Sequence, residues 1–435
     1  MSARCLFVIR DLPRPVISAD AVLCGEEALS GTHTSGLLVA EGLARRGHEI
    51  GLCIMHGQRV ECGCLRWFPT LEEAASWIGD GRVVWLSYGD DAIMTRMSVL
   101  DLTPLVWTQL HITRSERTWL ESGKIGGILT VSDTVRMPLL RSHRHDRVGR
   151  VYNPLAPLFA ATAHEAPDRY TRRLVAYAGA AGLTKGLHRL LEMWRHVRRT
   201  DPGIRLCLAG TGRLYGTERQ LGEFGIASPE FEVRYIVPLA AEFGSLDAAG
   251  IEPLGLLSPR ALRELYAGAS LGVVNMNWTE YGETFCCAAT EMLGMGLPVF
   301  SVARDALPET IGCSGGAVLT RHESVARATR EFCELVADPS RLARLGATGR
   351  SHVRQAYGLE HILDEWERLL RQDDHIEGLS GRWRGPWNPQ YVLELAAGRL
   401  AAPWLIDTPA RGRRAALRLI RRAVTEPPQP QGSRS

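Results

Sequence analysis

Lysine is almost missing from this chain: of 51 lysine and arginine residues, only Lys124 and Lys185 are lysines. A lysine that persists against such a bias marks a place where arginine will not serve, which directs attention to Lys185. Long apolar runs are absent too. No stretch of about 18 uninterrupted apolar residues occurs, which argues against a membrane-spanning helix. The opening MSARCLFVIRDLPRP has only the short run CLFVI before charge and proline, too short and broken for a secretory signal, so a cytosolic protein is expected. Zinc-type spacing is lacking. The 10 cysteines are scattered, Cys62-Gly-Cys64 is the one pair whose spacing hints at chemistry, and reduced structural thiols with no metal site are expected. Excess charge is lacking as well: a net +3 gives no electrostatic footprint for nucleic acid.

What is present is ordinary globular composition, 45% hydrophobic and 23% charged over 435 residues, enough for about two or three domains. Short apolar runs alternate with helical patterns. CLFVIR, IGLCI, VVWLSY, PLVWTQL and GILTVS read as strands; the Leu37 to Ala44 segment, TLEEAASWI and DTVRMPLLRSH read as helices. After a proline-bearing loop from Tyr152 to about Tyr170, the alternation resumes with LVAYAG, the helix LHRLLEMWRHVRR, the strand IRLCLAG, a strand near EVRYIV, the helix SPRALRELYAGA, and the strands LGVVNM and LPVFSVA. Two tandem α/β units with doubly wound parallel sheets follow from this pattern, with ligands expected at the carboxyl ends of strands and in a cleft between the units.

The residues with chemical potential do fall just after strands. Lys185 sits in AAGLTKG, framed by Gly179, Gly182 and Gly186 at the start of a helix, where free N–H groups and a positive dipole end suit a phosphate; a solvated loop lysine is the plainer alternative. GTGR, ending in Arg213, is a second glycine-bearing strand exit. Ser30-Gly31 through Ser35-Gly36 reads as a small-residue loop before the Leu37 helix, open to a ligand or a simple capping turn. His111 follows PLVWTQL, in a functional or a structural role. Asp90 and Asp91 read as a helix cap and a first-turn acid. In EYGETFCCAATEMLGMGLPVF, Glu283 lies on a strand-exit loop, the N–H groups of Thr284 to Cys287 open a helix, and Glu291 shares a helix face with Cys287. Acids so placed suit sugar hydroxyls and a ribose diol, or are a first-turn acid and a solvated helix acid.

With those residues in view, the chain resembles the retaining glycosyltransferases of family four. The resemblance rests on EYGETFCCAATEMLGMGLPVF, on LVAYAGAAGLTKGLHRLLEMW, on GLARRGHEI and on SDTVRMPLL…VYNPL, and it spans roughly residues 1 to 372. It implies a GT-B architecture, two Rossmann-like doubly wound domains facing a central cleft: an acceptor-binding domain over 1–165, a nucleotide-sugar-binding domain over 166–358, and a crossover helix with a basic extension over 359–435. It implies Glu283 on hydroxyls of the transferred sugar, with N–H groups of Thr284, Phe285 and Cys286 near sugar and phosphate. Glu291 would hold the ribose, Lys185 the diphosphate, Gly31 would face the phosphates, and His111 would lie by the donor sugar. Where the family carries an arginine this chain has Ala180, and Arg213 is the candidate replacement; Cys286 stands where the family has glycine.

The implied reaction moves a sugar from a UDP- or GDP-linked donor to an acceptor hydroxyl, with retention and without a metal or other cofactor. The acceptor is left open among carbohydrates, lipid-linked molecules and small natural products. The alternatives are a non-catalytic GT-B-like subunit, which Ala180 favours, and a sugar-nucleotide epimerase or phosphorylase on the same fold. The tail carries Arg411, Arg413, Arg414, Arg418, Arg421 and Arg422 among Leu417, Leu419 and Ile420. That pattern suits either a helix lying on the inner face of a membrane or one packed on the domain.

Overall fold

The computed structural model describes residues 2–11, 16–55, 59–61, 63–140, 142–161, 168–213, 220–278 and 282–371. Cys62 and the basic tail lie outside them. The first half holds the strands β1 (Arg4–Ile9), β2 (Val16–Ser18), β3 (Glu49–Ile54), β4 (Arg59–Glu61), β5 (Arg66–Phe68), β6 (Arg82–Ser87), β7 (Leu105–Thr108), β8 (Gly127–Thr130) and β9 (Val148–Arg150). Seven form one sheet in the order β5-β3-β1-β6-β7-β8-β9, while β2 pairs with β4. The second half holds β10 (Leu174–Ala178), β11 (Arg205–Ala209), β12 (Ile251–Gly255), β13 (Leu271–Val273), β14 (Val299–Val302) and β15 (Ala317–Thr320), in the order β12-β11-β10-β13-β14-β15. Every pairing is parallel. Helices cover both faces of such sheets, which is why the central strands read as unbroken apolar runs and why Cys5 to Ile9 are fully buried.

Three expectations need correcting. EVRYIV is not a strand: Glu232–Ile236 forms a π-helical turn within a helical stretch from Pro229 to Phe243, and the strand lies further on, at IEPLG. Ser228 caps that helix and Pro229 opens it. The Glu232 carboxylate accepts from the backbone N–H groups of Phe224 (2.7 Å), Ile226 (2.7 Å) and Ala227 (3.0 Å), a tie to the preceding loop that overrides the β-branched composition. IEPLG escaped notice because it is an edge strand containing a proline. The Ser30 to Gly36 segment is not a loop, since the helix Gly31–Arg45 starts there with Ser30 as its cap. DTVRMPLLRSH makes only the short helix Asp133–Arg136, and Pro138 then tightens the chain into a 3-10 turn.

The chain passes between the two sheets twice, at Tyr152–Leu155 and again at Tyr357–Leu359, and the passages touch where the Leu155 N–H donates to the Tyr357 carbonyl at 2.6 Å. The helix Leu359–Arg371 returns to the first sheet, where Trp366 is fully buried against Phe7 (5.7 Å) and Trp107 (4.8 Å). Beside these passages one carboxylate ties the domains. Glu309, from the second, accepts from Asp133 N–H (2.6 Å), from Thr134 N–H and hydroxyl (2.8 Å each) and from the Tyr152 hydroxyl (3.0 Å). It thereby caps a helix of the first domain with a residue of the second. Glu309→Ala is expected to cost about 2–3 kcal/mol, because it leaves buried donors unsatisfied. Denaturant midpoints equal to wild type would refute that joint.

Candidate active site

In each sheet the strand order turns around beside its first strand, so that β1 lies between β3 and β6, and β10 between β11 and β13. In the second domain the connections leaving β10 and β13 carry the residues of interest. The Lys185 loop is stitched to the exit of β13: the Met276 N–H donates to the Lys185 carbonyl (3.1 Å), and the Asn277 side chain donates to the Thr184 carbonyl (3.0 Å). Gly186 ends this loop at φ +69°, with a Cβ there meeting the Asn277 nitrogen at 2.3 Å, so only glycine fits.

That stitching brings Lys185 Nζ to 2.7 Å from Glu283 Oε1. Asn275 donates to the same oxygen at 3.3 Å, and the Glu283 carbonyl accepts from the Ala306 N–H at 3.0 Å. Arg304, next to Asp305 at φ +46°, donates to the Trp278 carbonyl and so holds the near side of the same loop. The pair is well shielded, with side-chain exposures of 21% for Lys185 and 9% for Glu283. A shielded cation and carboxylate at a helix start can meet a phosphate and a hydroxyl together.

Thr284, Phe285 and Cys286 are buried, and their side chains have work of their own. The Thr284 hydroxyl donates to the Gln109 carbonyl of the first domain at 2.6 Å. Phe285 packs edge-on to Tyr357 at 5.2 Å. Cys286 occupies the N-cap position of the helix Cys287–Gly294 without a side-chain capping bond, leaving N–H groups at the helix's open end. Gln109 and Asn153 exchange two amide hydrogen bonds, at 2.9 and 2.8 Å, just below the exit of β7. His111, half-buried two residues beyond Gln109, is therefore held on the strand exit that meets the Glu283 loop.

Gly31 stands at the first turn of its helix against Cys287, where a Cβ would lie 2.8 Å from the sulfur. Gly31, Thr34, Ser35, Pro154, Cys287 and Glu291 line a small cleft between the domains. Burial pushes the Glu291 carboxyl up to about 8 and the Cys287 thiol up to about 12, the nearby Glu291 adding to the thiol's rise. Arg213 stands exposed at the exit of β11, its N–H donating to the Thr211 hydroxyl at 3.2 Å. Ala180 is buried behind the Lys185 loop, with its carbonyl accepting from the Tyr177 hydroxyl at 3.0 Å.

Residues 162–352 match the family model of the glycosyl transferases group 1. The matched segment contains Lys185, Arg213, Glu283 and Glu291, together with the strands β10 to β15. A D-inositol 3-phosphate glycosyltransferase from Segniliparus rotundus is 28% identical over 183 residues, 42% of this chain and 36% of the relative. The chain therefore spans about a third of that relative's length in the match. Among solved structures, a sucrose-phosphate synthase from Thermosynechococcus elongatus superposes with a TM-score of 0.62 at 17% identity, over 85% of this chain and 98% of its own. A glycosyltransferase from Rickettsia africae gives 0.60 at 13% over 85% and 98%, and HepE from Anabaena, solved with UDP and glucose, gives 0.60 at 12% over 85% and 99%. The fold is GT-B: two parallel α/β Rossmann-like domains.

Asn275, Asn277 and Gln109 were not picked out from the sequence. Their signal was modest: LGVVNMNW ends an apolar strand on two asparagines, polar groups that need partners once buried.

Proposed function

We propose that the protein transfers a sugar from a nucleotide-sugar donor to an acceptor hydroxyl, with retention at the anomeric carbon. The observation that carries this reading is the shielded Lys185–Glu283 pair at the carboxyl ends of β10 and β13, within the segment that matches the glycosyl transferases group 1. Departure of a nucleoside diphosphate builds negative charge on the phosphate. Lys185 and the N–H groups of Thr284, Phe285 and Cys286 offset that charge, Glu283 takes hydroxyls of the sugar, and Glu291 takes the ribose. Gly31 and His111 bring the first domain against phosphate and sugar, and Arg213 supplies the cation missing at Ala180. With a lysine and helix N–H groups in place, we infer a reaction that needs no metal.

Anabaena HepE was solved with UDP and glucose, which supports a UDP-linked donor ahead of a GDP-linked one. In this reading residues 166–358 bind the donor and residues 1–165 the acceptor. Residues 359–435 supply the returning helix and a basic extension, with peripheral contact at the inner face of the cytoplasmic membrane as its role. Among the described residues, no helix is long and apolar enough to cross a membrane. A non-catalytic subunit is the second reading, and Ala180 is the observation in its favour. Melting curves with UDP, GDP, ADP, dTDP and CMP and their common sugars decide between them, since a ligand of the folded state raises its apparent stability. A shift with one nucleotide family and release of that nucleotide on turnover are expected for a transferase; binding without turnover supports the second reading.

A further inference from the structure

The first domain has its own crevice at the carboxyl ends of β1 and β6, where the strand order turns around. In the second domain the equivalent crevice is spanned by Lys185 and Glu283. In the first it is spanned by His33, on the helix between β1 and β3, and by Tyr88, on the exit of β6. The two contacts of the imidazole differ. Nδ1 lies 3.0 Å from the Ser30 hydroxyl, which also caps the helix, while Nε2 lies 3.4 Å from the Tyr88 hydroxyl. One nitrogen is anchored; the other faces its partner at a distance too long for a strong hydrogen bond.

Burial lowers the His33 pKa, against a weaker upward pull from Asp11, so the ring is neutral near pH 7 and carries one N–H and one lone pair. Tyr88 likewise donates and accepts. A substrate hydroxyl entering this slack contact could bond to both groups. Position agrees: Gly31, two residues before His33, packs on Cys287 at the edge of the cleft shared with Glu291. Charge narrows the class, because the two nearby charged groups, Arg10 and Asp11, pair with each other at 3.4 Å, and the contact itself offers a hydroxyl and a neutral imidazole.

Building on the glycosyl-transfer reading, we propose that His33 and Tyr88 bind the acceptor, and that this acceptor is a neutral sugar or polyol. The test compares transfer with donor hydrolysis by water, using glycerol, glucose, myo-inositol and the monophosphate of each as acceptors, in wild type, Tyr88→Phe, His33→Gln and His33→Ala. Tyr88→Phe removes only the hydroxyl and is expected to lower the transfer-to-hydrolysis ratio at least tenfold, mainly through the acceptor KM. His33→Gln, whose amide can reach where Nε2 stands, is expected to retain more transfer than His33→Ala. A ratio in Tyr88→Phe within twofold of wild type overturns the assignment. Preferential transfer to the monophosphates overturns the neutral class. A wild-type protein that neither binds nor hydrolyses any nucleotide sugar overturns the transfer reading itself, and the acceptor assignment with it.

Discussion

Lys185→Ala is expected to lower sugar transfer by about 100- to 1000-fold, the usual result of removing a preorganised group from developing charge. The effect has two parts. In the proposed reading the diphosphate loses one of its cations, and Glu283, with a side chain only 9% exposed, keeps just the neutral amide of Asn275 as a described side-chain partner. Lys185→Arg is the sharper variant. The chain uses arginine almost everywhere else, so a position that tolerated arginine would be expected to carry it. The loop leaves little freedom, because Gly186 is wedged against Asn277 and the Lys185 carbonyl is bonded to Met276. A loss of at least tenfold in Lys185→Arg is therefore expected from initial rates at saturating donor. Wild-type rates in both variants would remove Lys185 from the site.

Glu291 gives the second large effect, read through pH. Its folded carboxyl is pushed up to about 8 by burial, from an ordinary 4.5. Below pH 4.5 the folded and unfolded chains both hold the proton, and above pH 8 both have released it. Between those values the folded chain holds a proton that the unfolded chain does not, so stability falls as pH rises. The slope approaches about 1.4 kcal/mol per pH unit, and roughly 2–4 kcal/mol accumulates across the window for a half-buried group. Denaturant titrations at pH 5, 6, 7 and 8 should show this decline relative to Glu291→Gln, which cannot titrate. Parallel curves for the two proteins would mean that the carboxyl is better solvated than its surroundings indicate.

Much of the architecture was legible because parallel strands covered on both faces must be apolar throughout, and such runs stand out in β1, β6, β7 and β10. EVRYIV misled for the same reason: β-branched and aromatic residues fit a strand, while the choice of helix rests on Glu232 reaching back to three N–H groups of a preceding loop. That bond is invisible without coordinates. At the site, Lys185 and Glu283 were each marked by local surroundings, but nothing in their sequence separation of 98 positions showed that they meet. The amides were harder still. Gln109 matters because its carbonyl receives Thr284 and its side chain clasps Asn153, and an amide carries no label for such duties. Tyr88 was absorbed into the strand reading of VVWLSY, whereas β6 stops at Ser87 and Tyr88 stands on its exit.

The return of the chain to the first sheet governs how the molecule can be taken apart. Trp366 belongs by contact with Phe7 and Trp107, although the whole of the other domain separates them along the chain. One cut near Tyr152 would yield an amino-terminal piece with an open socket and a carboxyl-terminal piece bearing a loose indole. The halves are thus a single unit of manufacture: a fragment meant to isolate the first domain must carry residues 359–371 grafted back onto it, and a library that shuffles domains among relatives must move both segments together.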